Sequence, residues 1–236
     1  MFLSYIKYMT KNKTKKKYNR NNRFTRKNYV DRLKDLYPSC KFDERRDDYH
    51  LYESHKITYG EMQYEGIQQL YSHVKKINNH IDTFIDIGSG RGKLCMYMAS
   101  QPEIRSVLGV ELVTQRYNDA IKLQEDLMKD ISKKKKSTTT DAANYGTKVM
   151  FLNQDILEVN LKNYLGKEAV FLWFSNLCFD QSTTNDIFQK LNEELPADSI
   201  ICCSKEPIPV IGKPLNQLII PMSWSKNSTV FMYQIL

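Results

Sequence analysis

Short apolar runs alternate with amphipathic stretches along most of this chain. Apolar runs of five or six residues predict strands at 83–87, 106–111, 148–153, 169–174 and 199–204. Apolar residues at helical spacing predict helices over 60–77, over 93–100, after Thr114 and around 187–195. Apolar strands that alternate with helices indicate a parallel sheet covered on both faces. The predicted fold class is therefore α/β.

Several other segments depart from this alternation. Residues 31–57 predict short helix and loop, and residues 133–146 predict a polar loop. Residues 218–224 and 228–236 predict a terminal antiparallel pair. Thr183 and Asp186 stand in capping-box spacing before the last predicted helix. We expect a basic arm at 1–28, a helical lead-in at 29–80 and an α/β domain at 81–236.

Positive charge is concentrated at the start of the chain. The formal net charge is +8, but residues 1–30 carry +10 without any acid, so residues 31–236 carry −2. This Asn- and Lys-rich segment offers little to bury, so we expect disorder in the free protein. We interpret it as an arm that binds DNA or RNA, with a solubilising tail or a targeting peptide as alternatives. The predicted contacts are Lys11, Lys13, Lys15, Lys16, Lys17, Arg20, Arg23, Arg26 and Lys27.

Composition excludes several other classes of protein. A chain of 236 residues that is 41% hydrophobic and 26% charged is not fully disordered. No apolar run approaches the roughly 20 residues of a membrane span, and the opening MFLSYIKYM is too short for a secretory signal. Five cysteines without a CxxC pair disfavour a disulfide framework and favour a reducing compartment. The four histidines lack metal spacing, so no metal site is predicted.

The segment FIDIGSGRGK predicts a nucleotide-binding loop. Asp86 lies in the strand, and Gly88, Gly90 and Gly92 precede a helix, where the backbone must turn tightly and approach a ligand closely. Glu111 ends the next strand, where a carboxylate can accept both hydroxyls of a ribose. The G-x-G-x-G spacing and Asp86 favour S-adenosylmethionine over a nicotinamide dinucleotide.

Asp155 follows the third predicted strand, in LNQDIL. In such folds this position meets the exocyclic amine of adenine, and the next residue, here Ile156, covers the ring. An Asp after a strand is also a common turn residue, so both interpretations stand.

The chain lacks the motifs of nucleobase methylation. Enzymes that methylate base amines carry an (Asn/Asp/Ser)-Pro-Pro-aromatic run after the fourth strand, whereas residues 175–179 are SNLCF. Cytosine C5 enzymes need a Pro-Cys nucleophile, and the chain has no such dipeptide. Both nucleobase chemistries are therefore disfavoured, despite the basic arm.

Residues 55–236 resemble the Dot-one (disruptor of telomeric silencing) histone lysine methyltransferases and their Dot-one-like relatives. The resemblance rests on TYGE, DIGSGRGK, GVE, Asp155–Ile156, SNLCF, CSKEP and the late MSW with TVFMY, in this order. It implies a seven-stranded Rossmann-like class I fold with a C-terminal antiparallel hairpin. It also implies the cofactor S-adenosylmethionine and a lysine acceptor on the folded core of nucleosomal histone H-three. A Lys-rich flank that holds nucleosomal DNA would explain residues 1–30, and the implied location is nuclear or otherwise chromatin-containing.

The resemblance also implies site residues. The cofactor set is Tyr59, Gly60, Glu61, Met62, Phe84, Ile85, Asp86, Ile87, Gly88, Ser89, Gly90, Arg91, Gly92, Lys93, Glu111, Asp155 and Ile156. The acceptor amine would enter beside Ser175 and Asn176, and Phe179, Trp224 and Phe231 would line the lysine channel. The best-known histone enzymes have two adjacent Asn in place of Ser175–Asn176, and a tyrosine pair in place of Phe231–Met232.

The aromatic channel has a physical purpose. A free lysine has a pKa of about 10.4, so a neutral amine near pH 7 costs about 4–5 kcal/mol. A water-poor channel beside a sulfonium cation lowers that pKa, so no general base is required. Core packing is the alternative for each of these aromatics.

Three functions remain open from the sequence. The first is a methyltransferase that acts on a nucleosomal histone, with the nucleosome as partner, no membrane or metal, and the chain expected as a monomer. The second is an enzyme of the same fold with a non-histone protein or RNA as acceptor. The third is a non-catalytic binder of nucleosomes or nucleic acid.

Overall fold

The computed structural model describes residues 26–39, 60–135, 147–210 and 212–236. The helices are α1 (Arg26–Ser39), α2 (Tyr64–Ile77), α3 (Lys93–Ala99), α4 (Thr114–Lys135) and α5 (Gln181–Glu194), with a 3-10 turn at Leu161–Asn163. The strands are β1 (Thr83–Ile87), β2 (Ser106–Glu111), β3 (Lys148–Asn153), β4 (Val170–Phe174), β5 (Ile200–Cys203), β6 (Lys213–Pro214), β7 (Leu218–Ile220) and β8 (Ser228–Gln234). No helix in these ranges is long and apolar enough to cross a membrane.

The sheet has the order β3-β2-β1-β4-β5-β8-β6, and β7 pairs with β8. The five strands from β3 to β5 run parallel, and β8 pairs with β5 in the antiparallel sense. The predicted α/β class and the C-terminal antiparallel pair are therefore confirmed. The described residues contain eight strands rather than seven, because two short strands, β6 and β7, each pair with β8.

Alternating side chains of the sheet enter two separate cores. Phe84 and Phe171 pack with α1 to α4 on one face, with ring centroids 4.9 Å apart. Ile85 and Leu172 pack with α5 and the segment around Leu161 on the other face. The strands are buried on both faces, which is why they appear in the sequence as continuous apolar runs.

Helix α1 begins inside the segment that we expected to be the disordered arm. Arg26 and Lys27 form its exposed first turn, and the guanidinium of Arg26 donates to Gln101. Buried Tyr29, Leu33 and Tyr37 recur at intervals of four residues and attach α1 to the first core. Residues 26–28, which we expected to belong to the arm, are therefore the first residues of α1.

Two local predictions differ from the structure. The cap of α5 is Asp180, whose carboxylate accepts from the Thr183 amide at 2.8 Å, so Thr183 and Asp186 do not form the capping box. Asp180 precedes the helix by one residue, which gives it the geometry that a capping side chain needs. The predicted loop at 133–146 also starts too early, because α4 continues to Lys135.

Candidate active site

A cleft opens at the carboxyl ends of the parallel strands. β2 and β3 lie on one side of β1, whereas β4 and β5 lie on the other, so the strand order reverses between β1 and β4. Open α/β sheets bind their ligands at this position. The cleft is lined by Gly60, Glu61, Met62, Asp86, Gly88, Ser89, Gly90, Lys93, Leu94, Trp173 and Ser175.

The glycine loop needs its glycines for two different reasons. Gly88, Gly90 and Gly92 have φ values of 72°, 55° and 77°, which side chains rarely adopt. A Cβ at Gly88 would meet no atom within 4 Å, so this side of the loop is open. A Cβ at Gly92 would lie 2.8 Å from the Phe151 ring and 3.0 Å from Ala120. Gly88 and Gly90 therefore line the cleft, whereas Gly92 packs the loop against the strands and α4.

Glu111 at the end of β2 fastens the loop to the sheet. Its carboxylate accepts from the Gly90 amide at 2.7 Å and from the Val113 amide at 2.8 Å. Burial raises the pKa of Glu111, and these backbone donors partly offset that shift. A carboxylate has about four lone-pair sites, so acceptor capacity remains for the hydroxyls of a ligand.

Asp86 is a buried carboxyl group in the cleft wall. It is 3% exposed, and the Cys95 thiol donates to it at a sulfur–oxygen distance of 3.7 Å. Burial, together with a smaller contribution from the neighbouring Glu111 carboxylate, raises the pKa of Asp86 to about 8 against the opposing Cys95 contact. A cationic ligand group beside Asp86 would favour the ionised form.

The upstream loop lines one side of the cleft, and the late MSW segment packs against this loop. Met62 forms a β-bridge with Met222, and the Gln63 amide donates to the Pro221 carbonyl at 3.1 Å. A Cβ at Gly60 would collide with the ring of Trp224, so the glycine allows the indole to lie against this loop. The two motifs are about 160 residues apart in sequence, and they meet directly.

Four side chains form a network beneath this wall. The Lys93 ammonium lies 3.0 Å from the Glu61 carboxylate, and both side chains are more than four-fifths buried. The same ammonium lies over the rings of Tyr64 and Tyr37, at 4.9 Å and 5.5 Å from their centroids. The Tyr37 hydroxyl donates to the other oxygen of Glu61.

On the other side of the cleft, Ser175 and Asn176 have different surroundings. Ser175 lines the cleft, whereas Asn176 is fully buried. The Asn176 side chain accepts from the Ser204 and Lys205 amides at 3.0 and 2.8 Å and donates to the Lys205 carbonyl at 2.7 Å. Asn176 therefore fastens the loop after β4 to the loop after β5.

The three predicted channel aromatics lie in different surroundings. Trp224 is 42% exposed beside Gly60. Phe179 packs edge-on against Phe174 at 5.0 Å, in the second core. Phe231 is half-buried against the same core, opposite Cys203 in the β5–β8 pairing. Neither Phe179 nor Phe231 lines the cleft, so their role in a channel stays a prediction.

Several other predicted cofactor residues make structural contacts. Phe84, Ile85 and Ile87 are core residues of β1, and Arg91 is a buried partner of Asp119 at 3.4 Å. None of these four residues lines the cleft. The side chains of β1 are buried on both faces of the sheet, and the Arg91 side chain is directed to Asp119.

Asp155 and Ile156 follow β3 at the same edge of the sheet. Asp155 accepts from the Leu157 amide at 2.9 Å, which is the turn contact considered from the sequence, and Ile156 is 6% exposed in the second core. Their contact with adenine stays a prediction. Tyr59 lies outside the described residues, as do the arm cations from Lys11 to Arg23.

Sequence reasoning did not assign Trp173, Leu94 or Tyr37 to the site. Trp173 pairs with Asp86 in the β1–β4 register, so its position on the strand was a usable signal. Leu94 directly follows Lys93 on the first turn of α3. The contact of Tyr37 depends on the tertiary packing of α1, which no local pattern indicates.

The chain is similar in sequence to histone methylation proteins. The family described as "Histone methylation protein DOT1" matches residues 43–213. "Histone-lysine N-methyltransferase, H3 lysine-79 specific" of Drosophila melanogaster is 42% identical over 53 residues, which are 22% of this chain and 3% of that protein. The protein of the same name from Caenorhabditis elegans is 29% identical over 150 residues, which are 63% of this chain and 15% of that protein. The chain therefore spans a small part of the length of these relatives.

Solved structures of methyltransferases are also similar to this chain. A putative methyltransferase, yhhF, from Escherichia coli matches with a TM-score of 0.48 and 13% identity, over 73% of this chain and 87% of its own. Magnesium protoporphyrin IX methyltransferase from Synechocystis PCC 6803 matches with a TM-score of 0.47 and 14% identity, over 86% of this chain and 95% of its own.

Proposed function

Because this chain belongs to the DOT1 family of histone methylation proteins, whose methyl donor is S-adenosylmethionine, we propose that it is a protein-lysine N-methyltransferase. The acceptor that we propose is a lysine on the folded core of histone H3 in the nucleosome, which is the histone named in both relatives. Its place of action would then be the nucleus or another compartment that contains chromatin.

One observation carries the cofactor part of this proposal: Glu111 holds the glycine loop and keeps acceptor capacity beside it. The cleft lining contains the carboxyl groups of Glu61 and Asp86 and the ammonium of Lys93. S-adenosylmethionine has an ammonium and a sulfonium, which suit these carboxylates. The donor set therefore fits the sulfonium cofactor.

The protein has little covalent chemistry to perform in this reaction. S-adenosylmethionine supplies the methyl group: the lysine nitrogen forms the new N–C bond as the C–S bond breaks, and the amine proton leaves to water. The side chains must align the two reactants and favour the neutral amine. We expect Trp224 to act on the acceptor side, because its indole is half-exposed and packs against Gly60, which lines the cleft.

The loops around Ser175 favour a protein acceptor over RNA. Their exposed side chains are aliphatic, at Leu177, Ile208 and Val210, or acidic, at Asp180 and Glu206. The one cation in these loops, Lys205, donates to the Phe179 carbonyl at 2.7 Å. A polyanion would meet two carboxylates here, whereas a cationic or apolar protein segment would meet complementary groups.

The test is methyl transfer from radiolabelled S-adenosylmethionine to nucleosomes, free core histones and bulk RNA in parallel reactions. The proposal predicts label on histone H3, with nucleosomes preferred over free histones, and mass spectrometry then locates the modified lysine. Label on RNA or on a non-histone protein alone would contradict the proposed acceptor while the cofactor assignment stands.

We also propose that the basic arm binds nucleosomal DNA. Residues 1–25 contain eight Lys and Arg and no acid, and residues 26–236 are formally neutral. Binding through such an arm should weaken with salt, with a slope of about −0.9 in log K against log salt for each phosphate neutralised. Removal of residues 1–25 spares α1 and should abolish most of that slope.

A matched control replaces Lys133–Lys136 by Ala and leaves the arm intact. An unchanged slope in the truncated chain would contradict the arm proposal.

A further inference from the structure

Glu61 contacts other segments through both its backbone and its side chain. Its amide donates to the Ser223 hydroxyl at 2.9 Å, and its carbonyl accepts from the Ser223 amide at 2.7 Å. Its carboxylate accepts from the Lys93 ammonium through one oxygen and from the Tyr37 hydroxyl through the other. The flanking residues Gly60 and Met62 both line the cleft, so the position of Glu61 sets the position of this wall.

Tyr37 contributes to this arrangement from a helix outside the sheet. Helix α1 ends close to Tyr37 and is attached to the domain through buried Tyr29 and Leu33 and through an ion pair between Arg32 and Asp130 on α4. The Tyr37 ring is 7% exposed and lies beneath the Lys93 ammonium. Its hydroxyl thus contacts Glu61 in the cleft wall from a helix that is packed against the first core.

The charges around Lys93 explain why this support matters. The Lys93 ammonium would be a mobile cation without Glu61, and Glu61 would be a buried carboxylate with fewer donors without Tyr37. Hydrogen bonds to a charged group are stronger and more directional than neutral ones. Two donors on opposite oxygens therefore fix the rotation of the carboxylate as well as its position.

We propose that Tyr37 is a positioning residue for the cofactor cleft, and that α1 is therefore part of the cofactor site rather than a passive extension. The identity of the cofactor in this inference rests on the proposed function. Tyr37 acts through Glu61, which orients Lys93 and the loop at 60–62, and it does not touch the reacting atoms.

The test compares Tyr37→Phe with the wild-type full chain by calorimetric titration of S-adenosylhomocysteine. Tyr37→Phe keeps the ring beneath Lys93 and removes only the hydroxyl. We expect the Kd to rise about fivefold to tenfold, because a charge-assisted hydrogen bond is lost. In steady-state assays the KM for S-adenosylmethionine should rise by the same factor, with kcat at saturating cofactor unchanged.

The matched control is Tyr29→Phe. Tyr29 is a buried tyrosine on the same helix, about 12 Å before Tyr37 along the axis. It should leave the Kd unchanged. An equal rise of the Kd in Tyr29→Phe would overturn the proposal, because the effect would then be general loosening of α1.

A double-mutant cycle with Glu61→Gln separates positioning from stability. If Tyr37 acts through Glu61, Tyr37→Phe should add less than twofold to the Kd in the Glu61→Gln background. Fully additive effects would overturn the proposal. Unchanged binding by Tyr37→Phe, while the wild-type chain binds normally, would overturn this inference alone. A wild-type chain that does not bind S-adenosylhomocysteine would overturn both the proposed function and this inference.

Discussion

The two halves of the cleft are built in different ways. The half formed by β1 and β2 concentrates its polar groups in two short segments, the glycine loop and Glu111, which contact each other directly. The half formed by β4 and β5 draws on the loops around residues 175 and 205, and the polar contacts of Asn176 and Lys205 tie these loops together.

This difference matches the ligand that we propose for each half, a cofactor for the first and an acceptor protein for the second. A cofactor of fixed structure can be held by one compact arrangement, which a short sequence can specify. An acceptor protein presents a wider surface, and the loops that meet it must be held in place by residues such as Asn176. The comparison predicts that substitutions in the first half act on cofactor affinity, whereas those in the second act on stability or turnover.

The largest effect is expected at Glu111. Glu111→Ala leaves the Gly90 and Val113 amides without their acceptor and removes the proposed ribose contact. We expect the Kd for S-adenosylhomocysteine to rise about a hundredfold, because two hydrogen bonds to a charged group are lost. Calorimetric titration measures this change. The exposed residue Glu158 provides the control, and a similar rise of the Kd in Glu158→Ala would mean that net charge, rather than the position of Glu111, decides binding.

The next effect concerns Asn176. Asn176→Ala removes three hydrogen bonds between buried loop segments, so we expect the free energy of unfolding to fall by about 2–3 kcal/mol. Urea unfolding measures this loss. Ser175→Ala should change it by less than about 0.5 kcal/mol. A large loss of turnover in Asn176→Ala with unchanged stability would mean that Asn176 contacts the acceptor instead.

Trp224 tests the proposed acceptor side of the cleft. Trp224→Ala should lower kcat about tenfold and change the cofactor Kd less than threefold, because the indole packs against Gly60 at the edge of the cleft and does not hold the glycine loop. Trp224→Phe should recover part of the loss. Ile219→Ala, at an exposed apolar residue of β7, is the control for surface effects. Equal losses of kcat and cofactor affinity would indicate that the indole supports the cofactor wall.

A further expected effect is a pH dependence of stability from Asp86. Its folded-state pKa of about 8 lies above the ordinary value of 3.8, so the unfolded chain releases the proton first as pH rises. The stability that Asp86 contributes is present below about pH 4 and declines until about pH 8. Asp86→Asn should therefore stabilise the unliganded protein progressively over that range, as measured by urea unfolding at pH 5, 7 and 9. Asp186→Asn, on the exposed face of α5, is the matched control variant.

The sequence predicted the sheet more fully than the site. β1, β2 and β3 have the predicted bounds, because strands buried on both faces leave uninterrupted apolar runs. The glycine loop and Glu111 could be singled out from the sequence because the loop directly follows one predicted strand and Glu111 ends the next, and their cofactor roles stay predictions. The buried role of Asn176 and the contact of Tyr37 with Glu61 were not accessible, because each depends on residues 24 to 29 positions away that meet only after folding.

The central claim is that the cleft between β1 and β4 binds S-adenosylmethionine. The most direct measurement is calorimetric titration of S-adenosylhomocysteine into the wild-type chain and into Gly90→Arg and Gly166→Ala. Gly90 lines the cleft at a φ of 55°, whereas a Cβ at Gly166 would meet no atom within 4 Å. We expect one binding site per chain in the wild type and in Gly166→Ala, and none in Gly90→Arg. Absence of binding by the wild type, or equal binding by Gly90→Arg, would contradict the assignment of this cleft to the cofactor.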